Sequence, residues 1–166
     1  MTLRRRLESV SETVQEFDLA SRQKYREGTA LVAAGYLGAG IYLLGYSAEM
    51  LLKNAYFRFM GASAVDRIQP RLAPALAAGR LYNPGVPHES YHSLRFWSLL
   101  LREARRRQHR PLLPLVDASF MARTRRLHQT AWIGMRYRPD QATIQEAQSA
   151  QSDVGWLHRH ETELWR

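Results

Sequence analysis

Residues 35–54 read GYLGAGIYLLGYSAEMLLKN. Four glycines, three tyrosines and one Glu/Lys pair in this stretch admit three readings: a phosphate-binding loop, a membrane span, or the central helix of a bundle. A dinucleotide loop needs G-x-G-x-x-G after a strand, so that backbone N–H groups meet the pyrophosphate at a helix start. Here the order is reversed, as GYLGAG, and no strand pattern precedes it. A span has a suitable length, since no charge occurs from Gly28 to Ala48. Against it, Tyr42 and Tyr46 would sit at depth, glycine adds little apolar area, and the periodicity continues past Glu49 and Lys53.

The bundle helix remains. Ala30, Ala34, Leu37, Ile41, Leu44, Ala48, Leu51 and Ala55 recur at alternating steps of four and three, drawing one apolar seam along a helix predicted over 29–60 and stopped by Gly61. Each glycine costs such a helix about 1 kcal/mol relative to alanine, so several together imply that close packing needs the space. Across from the seam, Tyr42, Tyr46, Glu49, Lys53 and Tyr56 form a second stripe. Glu49 precedes Lys53 by four, an intrahelical pair worth about a few tenths of a kcal/mol in water. It is either structural or a polar site that orients a partner group.

Apolar spacing elsewhere is also near 3.6, and the 166 residues suit a single domain, 1–166. The expected fold is all-α, an up-and-down helical bundle of four to five helices. A first helix is predicted over 8–27 with a Ser or Thr cap and a bend at Gly28. Four of the seven prolines fall between 61 and 92, marking a loop-rich connection with a short helix near RLAPALAAG (71–79). A third helix at 89–108 turns Leu94, Trp97, Leu100 and Leu101 inward and ends before Pro111 and Pro114. A fourth covers 115–131. The closing helix, 140–164, takes Asp140 as its N-cap and Ile144, Ala147, Val154 and Leu157 inward.

There is no cysteine, which excludes disulfides, thiolate metal sites and thiol nucleophiles and suits a reducing cytoplasm. The basic start MTLRRRLESV lacks the apolar run of a secretory signal, so a cytoplasmic protein without membrane association is expected. No metal or cofactor is expected: His158 and His160 lie two apart on a helix and diverge. Net charge is +9, carried by 22 Arg and by Lys24 and Lys53. Residues 95–138 hold eleven Arg against two acids, Glu103 and Asp117. Such a field either attracts an anionic partner, RNA or a nucleotide among them, or is a solvated helix face.

The stretches ALVAAGYLGAGIYLLGYSAEMLLKNAYFRFMG (30–61), YHSLRFWSLL (91–100), WIGMRYRPD (132–140) and GWLHRH (155–160) resemble, in that order, landmarks of HEPN domains (higher eukaryotes and prokaryotes nucleotide-binding). The likeness spans about residues 17–164. It implies an all-α bundle, often a homodimer and often encoded beside a minimal nucleotidyltransferase. Many relatives are RNases of toxin–antitoxin or defence systems, with an active site of arginine followed after four to six residues by histidine, usually completed across the dimer. Arg123 with His128 and Arg102 with His109 fit that spacing, and about two such pairs arise by chance in so Arg-rich a chain. Position favours Arg123/His128, with Thr124 where the family prefers Asn or Asp. On this resemblance His128 acts as base or acid on a ribose 2′-OH or leaving oxygen, and Arg123 stabilises the phosphorane charge. Arg136 and Tyr137 match the family's Arg-Tyr landmark and His92 its leading histidine, and both are expected to be structural.

Three functions are expected from these readings. One is nucleotide or RNA binding through Arg102, Arg105, Arg106, Arg107, Arg125, Arg126 and Arg136, as the partner module of a bacterial two-component system, toxin–antitoxin or nucleotidyltransferase-linked. Another is a metal-independent RNase using Arg123 and His128. The last is a dimerisation scaffold without a ligand.

Overall fold

A computed structural model of the chain describes residues 12–82, 92–131 and 141–166. Thr13 opens the first helix, α1 (Val14–Ala33), through a capping box: its Oγ1 accepts from the Glu16 amide at 3.2 Å, and Glu16 Oε2 accepts from the Thr13 amide at 2.7 Å. The loop after the second helix satisfies two more first-turn amides, with Val14 N donating to Asp66 O and Gln15 N to Ala64 O.

Gly28 does not bend this helix, contrary to the sequence expectation, and α1 continues to Ala33. The turn comes at Gly35, whose φ of 86° is the left-handed region that glycine adopts without steric cost. Tyr36 N then donates to Leu31 O, closing the helix end. The second helix, α2, therefore spans Leu37–Phe59 rather than 29–60, and Gly61 stops it in the same way at φ 84°. Ala30 and Ala34 consequently fall outside α2, and both are exposed. From Leu37 on, the predicted seam is real: Ile41, Leu44, Ala48, Leu51 and Ala55 are all buried.

What replaces the bend is a helix crossing. A Cβ on Gly28 would lie 2.9 Å from Leu44 Cγ, and one on Gly40 would lie 2.5 Å from Val32 Cγ2 and 3.0 Å from Gly28 O. The two backbones touch where both side chains are missing.

Five more helices follow: α3 (Gln69–Tyr82), α4 (Leu94–Arg107), α5 (Pro114–Thr130), α6 (Ile144–Arg159) and the short α7 (Glu161–Trp165). Seven helices among the described residues make an all-α bundle, more than the expected four to five, because α3 and α7 are elements of their own. α2 lies at the centre and packs on α1, α4, α5, α6 and α7. From Leu51 to Phe57 every one of its residues is buried, so Lys53 and Tyr56 of the second stripe lie inside the bundle. Trp97 of α4, fully buried, meets the rings of Tyr56, Phe57 and Phe96. α4 starts at Leu94 under a Ser93 cap, later than the expected 89.

α6 starts after Thr143, a second capping box with Glu146; the expected cap, Asp140, lies outside the described residues. Ala147, Val154 and Leu157 face inward as the spacing requires, whereas Ile144 is exposed. In the first turn of α6 the apolar stripe has not yet reached the core. Among the described residues no helix is long and apolar enough to cross a membrane.

Candidate anion-binding face

α4 and α5 pack together across the connection at 108–113, and Arg102 ties them: its Nε and Nη2 both donate to Asp117, at 2.9–3.0 and 2.7 Å. Arg107 donates to Glu103 at 3.0 Å and lies over the Tyr82 ring. Asp117 and Glu103 are the two acids of the Arg-rich segment, so both of its carboxylates are neutralised within the hairpin. Arg95, Arg106, Arg110 and Arg125 are exposed and have no carboxylate partner among the described residues. Arg95, Arg102 and Arg106 stand seven and four apart on α4 and so share one face.

Arg105 is different. It is buried, its Nη1 donates to Leu164 O at 3.0 Å, and its guanidinium lies over Phe59. Burial, and after it the charge of Arg110, pull its pKa below the usual value. Its chemistry is to hold the end of α7, not to meet a ligand.

On α5, Arg123 and Arg126 converge on one buried acid of α6, Asp153. Arg123 Nη1 donates to Oδ1 at 2.7 Å; Arg126 donates through Nη2 to Oδ1 at 2.7 Å and through Nε to Oδ2 at 3.0 Å. The hydrogen bonds that it donates to Asp153 raise the Arg126 pKa. Arg123 also lies over Trp156, which stacks on the His160 ring at 4.0 Å. His128, five residues after Arg123, is about 140° round the helix from it. The pair singled out for RNase chemistry is therefore not gathered by α5 alone, and the arginine is committed to Asp153. Arg136 and Tyr137 lie outside the described residues.

No family model, curated protein or solved structure matches this chain.

Two polar clusters inside the bundle complete the inventory. Glu49 and Lys53 form their predicted pair, but buried, and His92 Nδ1 sits 3.1 Å from both Glu49 oxygens. Tyr42 and Tyr46 stack edge to face beside them, Tyr46 also meets the His92 ring edge to face, and a cavity of about 30 Å³, the size of one water, is lined by these rings, Glu49 and His92. The other cluster was not legible in the sequence. Ser21 and Ser47 donate to each other's carbonyls at 2.8 Å across the α1–α2 crossing, and Ser47 Oγ lies 2.9 Å from His158 Nε2. As their spacing predicts, His158 and His160 diverge: one enters this network, the other stacks on Trp156.

Proposed function

We propose that the chain is a HEPN-like helical module that binds nucleotide or RNA through the α4–α5 hairpin, as the accessory partner in a bacterial two-component system. The observation that carries this reading is the charge balance of the hairpin. Its two carboxylates are matched to Arg102 and Arg107, so that Arg95, Arg106, Arg110 and Arg125 present uncompensated charge to solvent. A solvated face with interspersed signs would lack that surplus. The face suits a polyanion bound by phosphate contacts, which position without reading sequence.

The RNase alternative finds less support, since Arg123 is held by Asp153 and points along a different direction from His128. The test is binding of a short single-stranded RNA at several salt concentrations. Wild type should show affinity falling with salt, and Arg106→Gln/Arg125→Gln should lower the log–log slope by about 0.7 per arginine. Binding that is absent, or independent of salt, removes the proposal.

A further inference from the structure

Between α5 and α6 runs a groove whose lining includes two arginines that the sequence singled out, Arg123 and Arg126. One part, about 360 Å³, is lined among others by Arg126, Gln129, Thr130, Gln145 and Ser149. A second part, about 350 Å³, continues it past Arg126 and Asp153 to Gln148 and Ser152. The volumes are those of small-ligand sites, and amides and hydroxyls share the walls with the apolar Leu127 and Ala150.

The floor of the groove is built around Asp153, whose side chain is 3% exposed while that of Arg126 is 52% exposed. Two guanidiniums share this one carboxylate, so the cluster keeps a net positive charge. Arg126 gives Asp153 its Nε–H and one Nη2–H. Three of the five guanidinium donors, both on Nη1 and one on Nη2, are left for another acceptor. The second carboxylate of the lining, Glu146, is turned to the Thr143 amide and hydroxyl at 2.8 Å, and these bonds hold its pKa below the usual value. Gln129, Gln145 and Ser149 are exposed along the walls and free to orient towards a ligand.

A carboxylate buried behind an exposed arginine fixes the plane of the fork without neutralising it, which is the geometry that bidentate phosphate recognition requires. We infer that the α5–α6 groove is a phosphate-binding site in which Arg126 contacts the phosphate, Gln129, Gln145 and Ser149 supply flanking hydrogen bonds, and Asp153 and Arg123 position Arg126. The phosphate belongs to a free nucleotide or to an RNA backbone. The inference rests on the nucleotide-or-RNA reading and adds a defined subsite to the diffuse face.

The experiment titrates the full chain with inorganic phosphate, AMP and a short single-stranded RNA, following the arginine Nε–H NMR signals. The Arg126 signal should shift saturably with phosphate-bearing ligand. Gln145→Glu, an exposed isosteric change that puts a negative charge on the wall, should weaken binding about tenfold. Arg126→Gln should abolish binding, read from the Arg123 Nε–H signal, which moves with ligand in wild type through the shared Asp153. AMP binding without RNA binding identifies a mononucleotide site, and the reverse identifies a phosphodiester site. If RNA binds with a salt slope while Arg126 is silent and Gln145→Glu binds as wild type does, the groove is refuted and the basic face stands. If inorganic phosphate shifts Arg126 but neither AMP nor RNA binds, the nucleotide reading fails and the phosphate site stands. An Arg126 signal unmoved by all three ligands overturns the inference outright.

Discussion

Lys53 Nζ and Glu49 Oε1 meet at 2.5 Å inside the bundle, their side chains only 7% and 9% exposed. A surface pair at this spacing is worth tenths of a kcal/mol; burial changes its role, because each charge now depends on the other for solvation. Lys53 also lies 5.4 Å from the centre of the Trp97 ring, and Glu49 faces His92 at the cluster's edge. Removing one partner should therefore be far worse than removing both. Lys53→Ala should destabilise the chain by about 3–5 kcal/mol, whereas Glu49→Leu/Lys53→Met should fall within about 1 kcal/mol of wild type or above it. Urea denaturation midpoints of the three proteins decide it. Equal losses in the single and double variants would mean that the pair is effectively hydrated.

That pair illustrates what sequence can and cannot carry. The i, i+4 spacing of Glu49 and Lys53 is local and readable; their burial depends on α4 lying over them, which is not. The same split applies at Gly28 and Gly35. Both are glycines near a helix end, and the choice of Gly35 as the turn follows from Gly28 being needed at the crossing with Gly40, a contact twelve residues away. Periodicity made the α2 seam and the inward faces of α4 and α6 legible. Asp153 was missed because nothing local distinguishes a mid-helix Asp that will be buried; its partners are 27 and 30 residues away. For the same reason the surplus of arginines was readable while their distribution was not. Arg105 serves α7, Arg123 and Arg126 share Asp153, and Arg106 and Arg125 face solvent.

His158 should make the fold sensitive to mild acid. Burial, with the charge of Arg22 adding to it and Asp18 opposing, holds its pKa at about 4 instead of 6.5. Above pH 6.5 both folded and unfolded chains carry a neutral imidazole, so nothing is lost. Between 6.5 and about 4 the unfolded chain takes up a proton that the folded chain refuses, and stability falls. Glu161 has the opposite sign: burial, then Asp18, raise its pKa, so its contribution is present below 4.5 and lost as pH rises. A comparison of His158→Gln with wild type isolates the histidine. Referenced to pH 8, the variant should gain on wild type by about 2 kcal/mol at pH 4, a figure discounted for the ring's partial exposure. Parallel stability curves for the two proteins across that window would rule this out.

Asp153 is expected to be the most sensitive acid on α6. It is 2% exposed and accepts three hydrogen bonds from two guanidiniums. Asp153→Ala leaves Arg123 over Trp156 without a counter-charge and should cost about 3–5 kcal/mol. Arg126→Gln, at a half-exposed position with Arg123 still in place, should cost about 1 kcal/mol. Thermal denaturation ranks the two, and a loss for Arg126→Gln as large as that for Asp153→Ala would contradict the assignment of Asp153 as the shared anchor.

Gly28 and Gly40, the glycines of the α1–α2 crossing, give the sharpest test of the packing. Alanine is the better helix former by about 1 kcal/mol, so Gly40→Ala would stabilise a solvent-facing helix. Here its Cβ would meet Val32 Cγ2 at 2.5 Å and the Gly28 carbonyl oxygen at 3.0 Å, and the latter is backbone that cannot rotate away. Overpacking of this kind costs about 1–3 kcal/mol, enough to overturn the propensity gain. Gly28→Ala meets the other side of the same contact, at Leu44 Cγ and Gly40 O, and should lose a similar amount. Because either methyl forces the same two helices apart, the second should find the space already opened. Gly28→Ala/Gly40→Ala should thus lose less than the sum of the single variants, a coupling that a double-mutant cycle in urea measures directly. Strictly additive losses would mean that α1 and α2 accommodate each methyl by local side-chain shifts and that the crossing is not the rigid contact that sets where the chain turns.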